Sequence, residues 1–170
     1  MNGLELLKRD HQRLLFLINE FERKVRNTRE GELETNRDYV KTFSTLSKTV
    51  TEHTKIEERM LFPALEKFIE TRSVVDECCR KHQRIGEMLG KLQKIIKAEP
   101  PNHWDNLVFE LHEKIQSHIV KEEDWLFPRA ESLLGDAQLE DLFFAIEQTR
   151  SDQSETDSLI FPADRFGVRP

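Results

Sequence analysis

The sequence predicts an all-α fold: an antiparallel up-down-up-down four-helix bundle with a short C-terminal helix and tail. Apolar residues recur at three- and four-residue spacing along four long stretches. Glycine and proline, six of each in 170 residues, are too few for a loop-rich fold. One phrase is also written twice, as His53-Thr-Lys-Ile-Glu57-Glu58-Arg-Met-Leu-Phe-Pro63 and as His118-Ile-Val-Lys-Glu122-Glu123-Asp-Trp-Leu-Phe-Pro128.

Asn2 with Glu5 three residues on starts the first helix. Its stripe of Leu4, Leu7, His11, Leu14, Ile18, Phe21 and Val25 carries it to about residue 27, and the polar Asn27–Glu34 stretch around Gly31 reads as a loop. The second helix begins near Asn36, with Tyr39, Phe43, Leu46, Val50, His53 and Glu57 on one stripe. Pro63 is expected to kink it by removing a hydrogen bond and crowding the preceding turn, after which helix resumes to about Thr71. Ser73 with Asp76 starts the third, which turns Val75, Cys78, His82, Ile85, Leu89 and Leu92 inward. Glu99-Pro100-Pro101 breaks the chain, and Asn102 caps a fourth helix that buries Trp104, Leu111, Ile115, His118 and Glu122, bends at Pro128 and ends near Gly135. A short fifth helix follows Asp136, with Leu139, Leu142, Phe143 and Ile146. Residues 1–150 are thus expected to form one domain, and 151–170 a polar, partly irregular tail that Leu159-Ile-Phe-Pro pins to the surface.

Composition excludes several function classes. A net charge of −6 leaves no basic balance for nucleic acid. Charges within the first ten residues argue against a secretory leader. No run approaches the roughly 18 apolar residues that span a bilayer. The adjacent Cys78 and Cys79 make no disulfide framework. The expected setting is cytoplasmic and reducing, with no membrane and no nucleic acid; homo-oligomerisation and a protein partner are left open.

The repeat also includes His11-Gln12-Arg13 and His82-Gln83-Arg84. In each hairpin the two histidines lie about 16 or 17 residues from the connecting loop, roughly 25 Å at helical rise, so they come level. The link between the second and third helices does not balance: about 18 residues follow His53 and about 9 precede His82. Either the helix end folds aside at Pro63 or it overhangs.

Four level histidines and two glutamates inside an apolar bundle require a reason. In His-x-x-x-Glu the two side chains leave one helix face a turn apart. A buried carboxylate without a partner costs several kcal/mol, and two dications would balance Glu57 and Glu122. The pattern is neither a cysteine-based structural zinc site nor the His-Glu-x-x-His of zinc proteases. Mixed imidazole and carboxylate ligands between bundle helices suit iron or manganese, and the excess of histidine favours a di-iron centre, whose charge balance leaves room for a bridging oxygen species: oxide, hydroxide or carboxylate.

The ordered set His11, His53-x-x-x-Glu57, His82, His118-x-x-x-Glu122, with Leu-Phe-Pro after each Glu-Glu pair, resembles the hemerythrin-like (HHE) cation-binding domain over about residues 2–134. The resemblance implies that Glu57 and Glu122 bridge two non-haem irons, that His11 and His53 serve one and that His82 and His118 serve the other. It departs from the oxygen-carrying members in having Gly86 where they have another histidine, and glutamate where they use an aspartate bridge. In both respects it is closer to bacterial four-histidine members. Gly86 would either open a coordination position or channel or allow close helix packing. Met60 and Trp125 occupy matching places and are expected to wall the pocket. Cys78, one turn before His82, would pack or put a thiol near the cluster. Glu58 and Glu123 are expected to face solvent or brace the ligands rather than bind metal. The function implied is binding or reduction of O2, NO or peroxide in redox, oxygen or iron stress. The alternative is an iron or oxygen sensor acting through a protein partner without turnover.

Overall fold

The computed structural model describes residues 2–29, 38–98 and 104–160, with residues 28–29 and 152–160 described by backbone alone. The Gly31 loop, the Asn36 start, the Pro100-Pro101 break, the Asn102 cap and Phe161-Pro162 lie outside them. Among the described residues the chain is helical throughout, without strands: α1 (Gly3–Arg29), α2 (Asp38–Ile56), a π-helical turn (Glu57–Leu61), α3 (Phe62–Leu65), α4 (Ile69–Lys97), α5 (Asp105–Lys121), a second π-helical turn (Glu122–Leu126), α6 (Phe127–Leu133) and α7 (Asp136–Ile160). No helix among them is long and apolar enough to cross a membrane.

The α1 start follows its sequence signature. The Asn2 amide donates to Glu5 Oε2 at 2.9 Å and the Glu5 amide to Asn2 Oδ1 at 3.1 Å, so two end donors are satisfied reciprocally. A π-helical turn precedes each Phe-Pro pair, which the sequence reading did not anticipate. A proline lacks an N–H and crowds the carbonyl four residues back. The chain meets this with a widened turn: the Phe62 amide reaches back five residues to the Glu57 carbonyl, and Phe127 to that of Glu122.

The turn between the second and third expected helices comes earlier than Ser73. Helix α3 stops at Leu65, Phe68 is extended (φ −97°, ψ 123°), and α4 starts at Ile69. The buried Thr71 hydroxyl donates back to the Leu65 carbonyl and, at 2.9 Å, to that of Phe68, while Arg72 Nε donates to the Glu66 carbonyl at 2.8 Å. Side chains of α4's first turn thus close the turn before it, and Ser73 falls inside the helix. This placement removes the imbalance in the link: twelve residue steps separate His53 from Leu65, and thirteen separate Ile69 from His82.

Two hydrophobic clusters form the core. One gathers the later part of α1, the earlier part of α2, the later part of α4 and the earlier part of α5, from Phe21 and Phe43 to Leu92 and Trp104. The other gathers the opposite ends with α3, α6 and α7, including Leu4, Leu61, Phe62, Val75, Phe127 and Ile146. Helices that alternate in direction divide in this way. The histidines and glutamates occupy the layer between the clusters.

Helix α7 runs to Ile160, longer than the short helix expected and through the residue-150 boundary. No glycine or proline interrupts Asp136–Ile160, so nothing breaks its hydrogen-bond ladder. Leu139, Leu142 and Ile146 are buried, and Leu142 sits so close over the buried Gly3 that a Cβ there would overlap its side chain. Gly3→Ala should therefore push α7 off α1 and lower the melting temperature. Gly90→Ala, where a Cβ meets nothing within 4 Å, should raise stability by about 0.5–1 kcal/mol. Thermal denaturation of the two variants checks both; equal melting curves would show that the Leu142 contact does not hold α7.

Candidate metal centre

The two repeated phrases and the two lone histidines converge on one buried layer. His11 comes from α1, His53 and Glu57 from the α2/π-turn junction, His82 from α4, and His118 and Glu122 from the α5/π-turn junction. None of the six is more than 5% exposed. They make two overlapping groups: His11, His53, Glu57 and Glu122, and Glu57, His82, His118 and Glu122. Within each, one donor atom per residue lies within 4.8 Å of every other.

The imidazoles meet through their Nε2 atoms, 3.1 Å apart for His11 and His53 and 3.0 Å for His82 and His118. Glu57 Oε2 lies 3.2 Å from His53 Nε2 and 3.3 Å from His82 Nε2. Glu122 Oε2 lies 3.2 Å from both His11 and His118 Nε2. Each carboxylate therefore faces one imidazole of each pair.

How the rings are held decides what those nitrogens offer. His11 Nδ1 is 2.8 Å from Glu123 Oε1, and His82 Nδ1 is 2.8 Å from Glu58 Oε1. A carboxylate only accepts, so each Nδ1 donates, and the neutral ring keeps a lone pair on Nε2 directed inward. Phe127 stacks on His11 with centroids 5.4 Å apart, and Phe62 on His82 at 5.5 Å. The bracing is crossed: the first phrase holds the histidine of the second hairpin, and the second phrase holds that of the first. Glu58 and Glu123 thus brace ligands, Glu123 half-buried and Glu58 while still exposed to solvent. The stacking of Phe62 and Phe127 escaped the sequence reading, although their recurrence four residues after those glutamates was visible. The Gln-Arg pairs that follow His11 and His82 are exposed.

All four carboxylate oxygens of Glu57 and Glu122 are buried without a hydrogen-bond partner among the described residues, as are Nδ1 of His53 and of His118. Unpaired carboxylates at such a site are costly. Two donors about 2.1 Å from one cation and at right angles to each other lie about 3.0 Å apart, close to the Nε2 separations found. The donor set fits a metal site.

Without a cation the charges oppose one another. Burial lowers the His53 imidazole, but Glu57 and Asp10 outweigh it and leave its pKa at about 10. Burial raises Glu57, yet His53, His82 and His118 bring it well below the usual range. Burial, then repulsion from Glu57, raises Glu122 to about 7. Burial and the neighbouring imidazoles lower His118 despite Glu57.

The residues expected around the cluster are placed differently from one another. Gly86 is exposed, and a Cβ there would meet nothing within 4 Å, so close packing does not explain the glycine. Met60 is half-buried and lines a groove of about 280 Å³ with Leu134 and Leu142 beside α7. Trp125 is half-buried under the Arg129 guanidinium, 5.8 Å from its ring. The widened turn advances each residue by less than the 100° of an α-helix, which changes where residues three beyond the glutamates point. Cys78 is fully buried among Leu, Val and Phe side chains, and burial, followed by Glu122 and Glu57, pushes its thiol well up. It packs as a neutral thiol.

A family model, the Hemerythrin HHE cation binding domain, matches residues 2–130. No curated protein and no solved structure gives a match. The match spans most of the chain, which belongs to that family.

The pKa of Glu122 lies above its ordinary 4.5. Its contribution to the stability of metal-free protein is complete below about pH 4.5 and lost as pH rises through about 7, a change on the order of 3 kcal/mol. Glu122→Gln, neutral throughout, should melt above wild type at pH 8 in chelator, with the difference shrinking at pH 5. A difference independent of pH would contradict the charge conflict described.

Proposed function

From this membership we propose that the chain holds two non-haem iron ions, one among His11, His53, Glu57 and Glu122 and one among His82, His118, Glu57 and Glu122. The observation that carries the reading is the sharing: both donor groups contain both glutamates and differ only in their histidine pair. Two carboxylates common to both groups would be shared between the cations, and histidine-rich ligation suits iron.

A ferrous pair held there would supply the electrons and coordination sites for binding or reducing a small ligand, such as O2, NO or peroxide. The chain's own contribution is positional. Glu123 and Glu58 fix the tautomers of His11 and His82, Phe127 and Phe62 fix their ring planes, and the two hydrophobic clusters keep bulk water from the layer. We place this activity in redox, oxygen or iron stress. The free thiols Cys78 and Cys79 support a reducing, cytoplasmic setting.

A sensing role is favoured by α7, which lies along α1 and reaches the site's surroundings through Arg150 and Asp10. Binding of metal or ligand would then change how α7 is presented to a partner.

Anaerobic iron loading followed by metal analysis should find two irons per chain, and titration with O2, NO and peroxide should show optical changes. Turnover would favour the catalytic form, and metal-dependent melting without turnover the sensor. One metal per chain, or zinc alone after iron loading, would reject the di-iron reading. Loading must also displace the protons that metal-free His53 and Glu122 hold, with pKa values of about 10 and about 7. His82, also raised, holds a further proton at low pH, so at least two protons should leave at pH 6 and fewer at pH 8, with affinity rising with pH. Calorimetry in buffers of different ionisation enthalpy measures this number; zero at both pH values would contradict it.

A further inference from the structure

The two halves of the layer are not equivalent, and the difference lies behind His53 and His118. Both have Nδ1 buried without a direct hydrogen-bond partner among the described residues. Behind His53, however, stands Asp10, with Oδ2 3.5 Å from Nδ1. At 3.5 Å this is a charge contact just beyond a good hydrogen bond, clearly longer than the 2.8 Å of the two Glu–His pairs. The same Oδ2 accepts from Arg150 Nη2 of α7 at 2.6 Å. In the repeat, the residue before His82 that matches Asp10 is Lys81. It carries the opposite charge and is directed at the Ser117 carbonyl and Glu77, 3.3 Å from each. Among the described residues, therefore, a carboxylate stands behind Nδ1 of His53 but not behind Nδ1 of His118, and it is shared with the fifth helix.

We propose that Asp10 is a positioning residue for His53, and that Arg150 sets how closely it engages. With α7 docked, the guanidinium holds the carboxylate back from Nδ1. When α7 shifts or another group takes Arg150, Asp10 closes on Nδ1, fixes the tautomer with the lone pair on Nε2 and makes that nitrogen a better donor. The C-terminal helix is thereby linked to one of the two metal positions and not to the other. The inference rests on the di-iron reading and adds that the two ions differ in affinity, with one of them answering to α7.

The test is a double-mutant cycle in the full chain with Asp10→Asn, Arg150→Gln and both together, read by anaerobic chelator competition for Fe(II) and by ¹H–¹⁵N spectra of the histidine rings in the metal-free protein. Asp10→Asn should weaken one of the two ions about tenfold or more and leave the other unchanged. Arg150→Gln should tighten that same ion, and should move the His53 Nδ1 signal towards its hydrogen-bonded position. In the Asp10→Asn background, Arg150→Gln should do neither. If α7 acted only by loosening the bundle, Arg150→Gln would have the same effect with or without Asp10, and that result overturns the proposal. Two ions bound with affinities and ring signals insensitive to Asp10 also overturn it, while leaving the di-iron reading intact. A wild-type chain that takes up no iron overturns both.

Discussion

Two carboxylates, Glu57 and Glu122, sit at zero exposure in the middle of a helical bundle, with no hydrogen bond from the described residues to either oxygen of either group. Most of the local architecture can be understood from that constraint. Four imidazoles surround them, and the mutual shifts show that protons alone resolve the conflict poorly: one glutamate is driven down and the other up, two histidines up and a third down. A pair of cations would satisfy all six side chains together. The hydrophobic clusters on either side carry the stability that such a layer costs, an expected division of labour where function requires buried charge.

The bundle and the six converging side chains were legible in the sequence because each depends on a local rule. Helical periodicity exposes the buried stripes, and His-x-x-x-Glu needs only one turn of helix to aim both groups alike. Equal arm lengths bring His11 level with His53 and His82 level with His118. What was not legible depends on contacts distant in sequence. The turn between α3 and α4 is fixed by the Thr71 hydroxyl and Arg72 reaching backwards, and these outweigh the capping-box pattern at Ser73. The widened turns at Glu57 and Glu122 were concealed because proline is ordinarily read as a kink. The contact between Asp10 and Arg150 spans 140 positions, and no periodicity announces it.

Helix α7 illustrates the same limit. Its polar sequence after Arg150 reads as a tail, but its first half is anchored by Leu139, Leu142 and Ile146, and the close seat of Leu142 on Gly3 brings it against the start of α1. From there it runs along the helix that presents His11 and reaches Asp10, one residue before that histidine. Helix α7 thus lies beside the helix that carries His11, where it can affect the site without supplying a ligand.

The crossed bracing changes what the internal repeat means. Glu58 and Phe62 of the first hairpin fasten the histidine of the second, and Glu123 and Phe127 of the second fasten that of the first. Neither hairpin therefore contains a finished half-site. The arrangement is that of a two-fold dimer joined into one polypeptide, with its chemistry at the seam. In such an object the halves cannot diverge independently: a substitution in one Leu-Phe-Pro phrase is felt as a misaimed imidazole in the other half. Joining the halves in one chain also permits asymmetry that identical subunits could not have, so Asp10 and Lys81 can stand at matching positions with opposite charge.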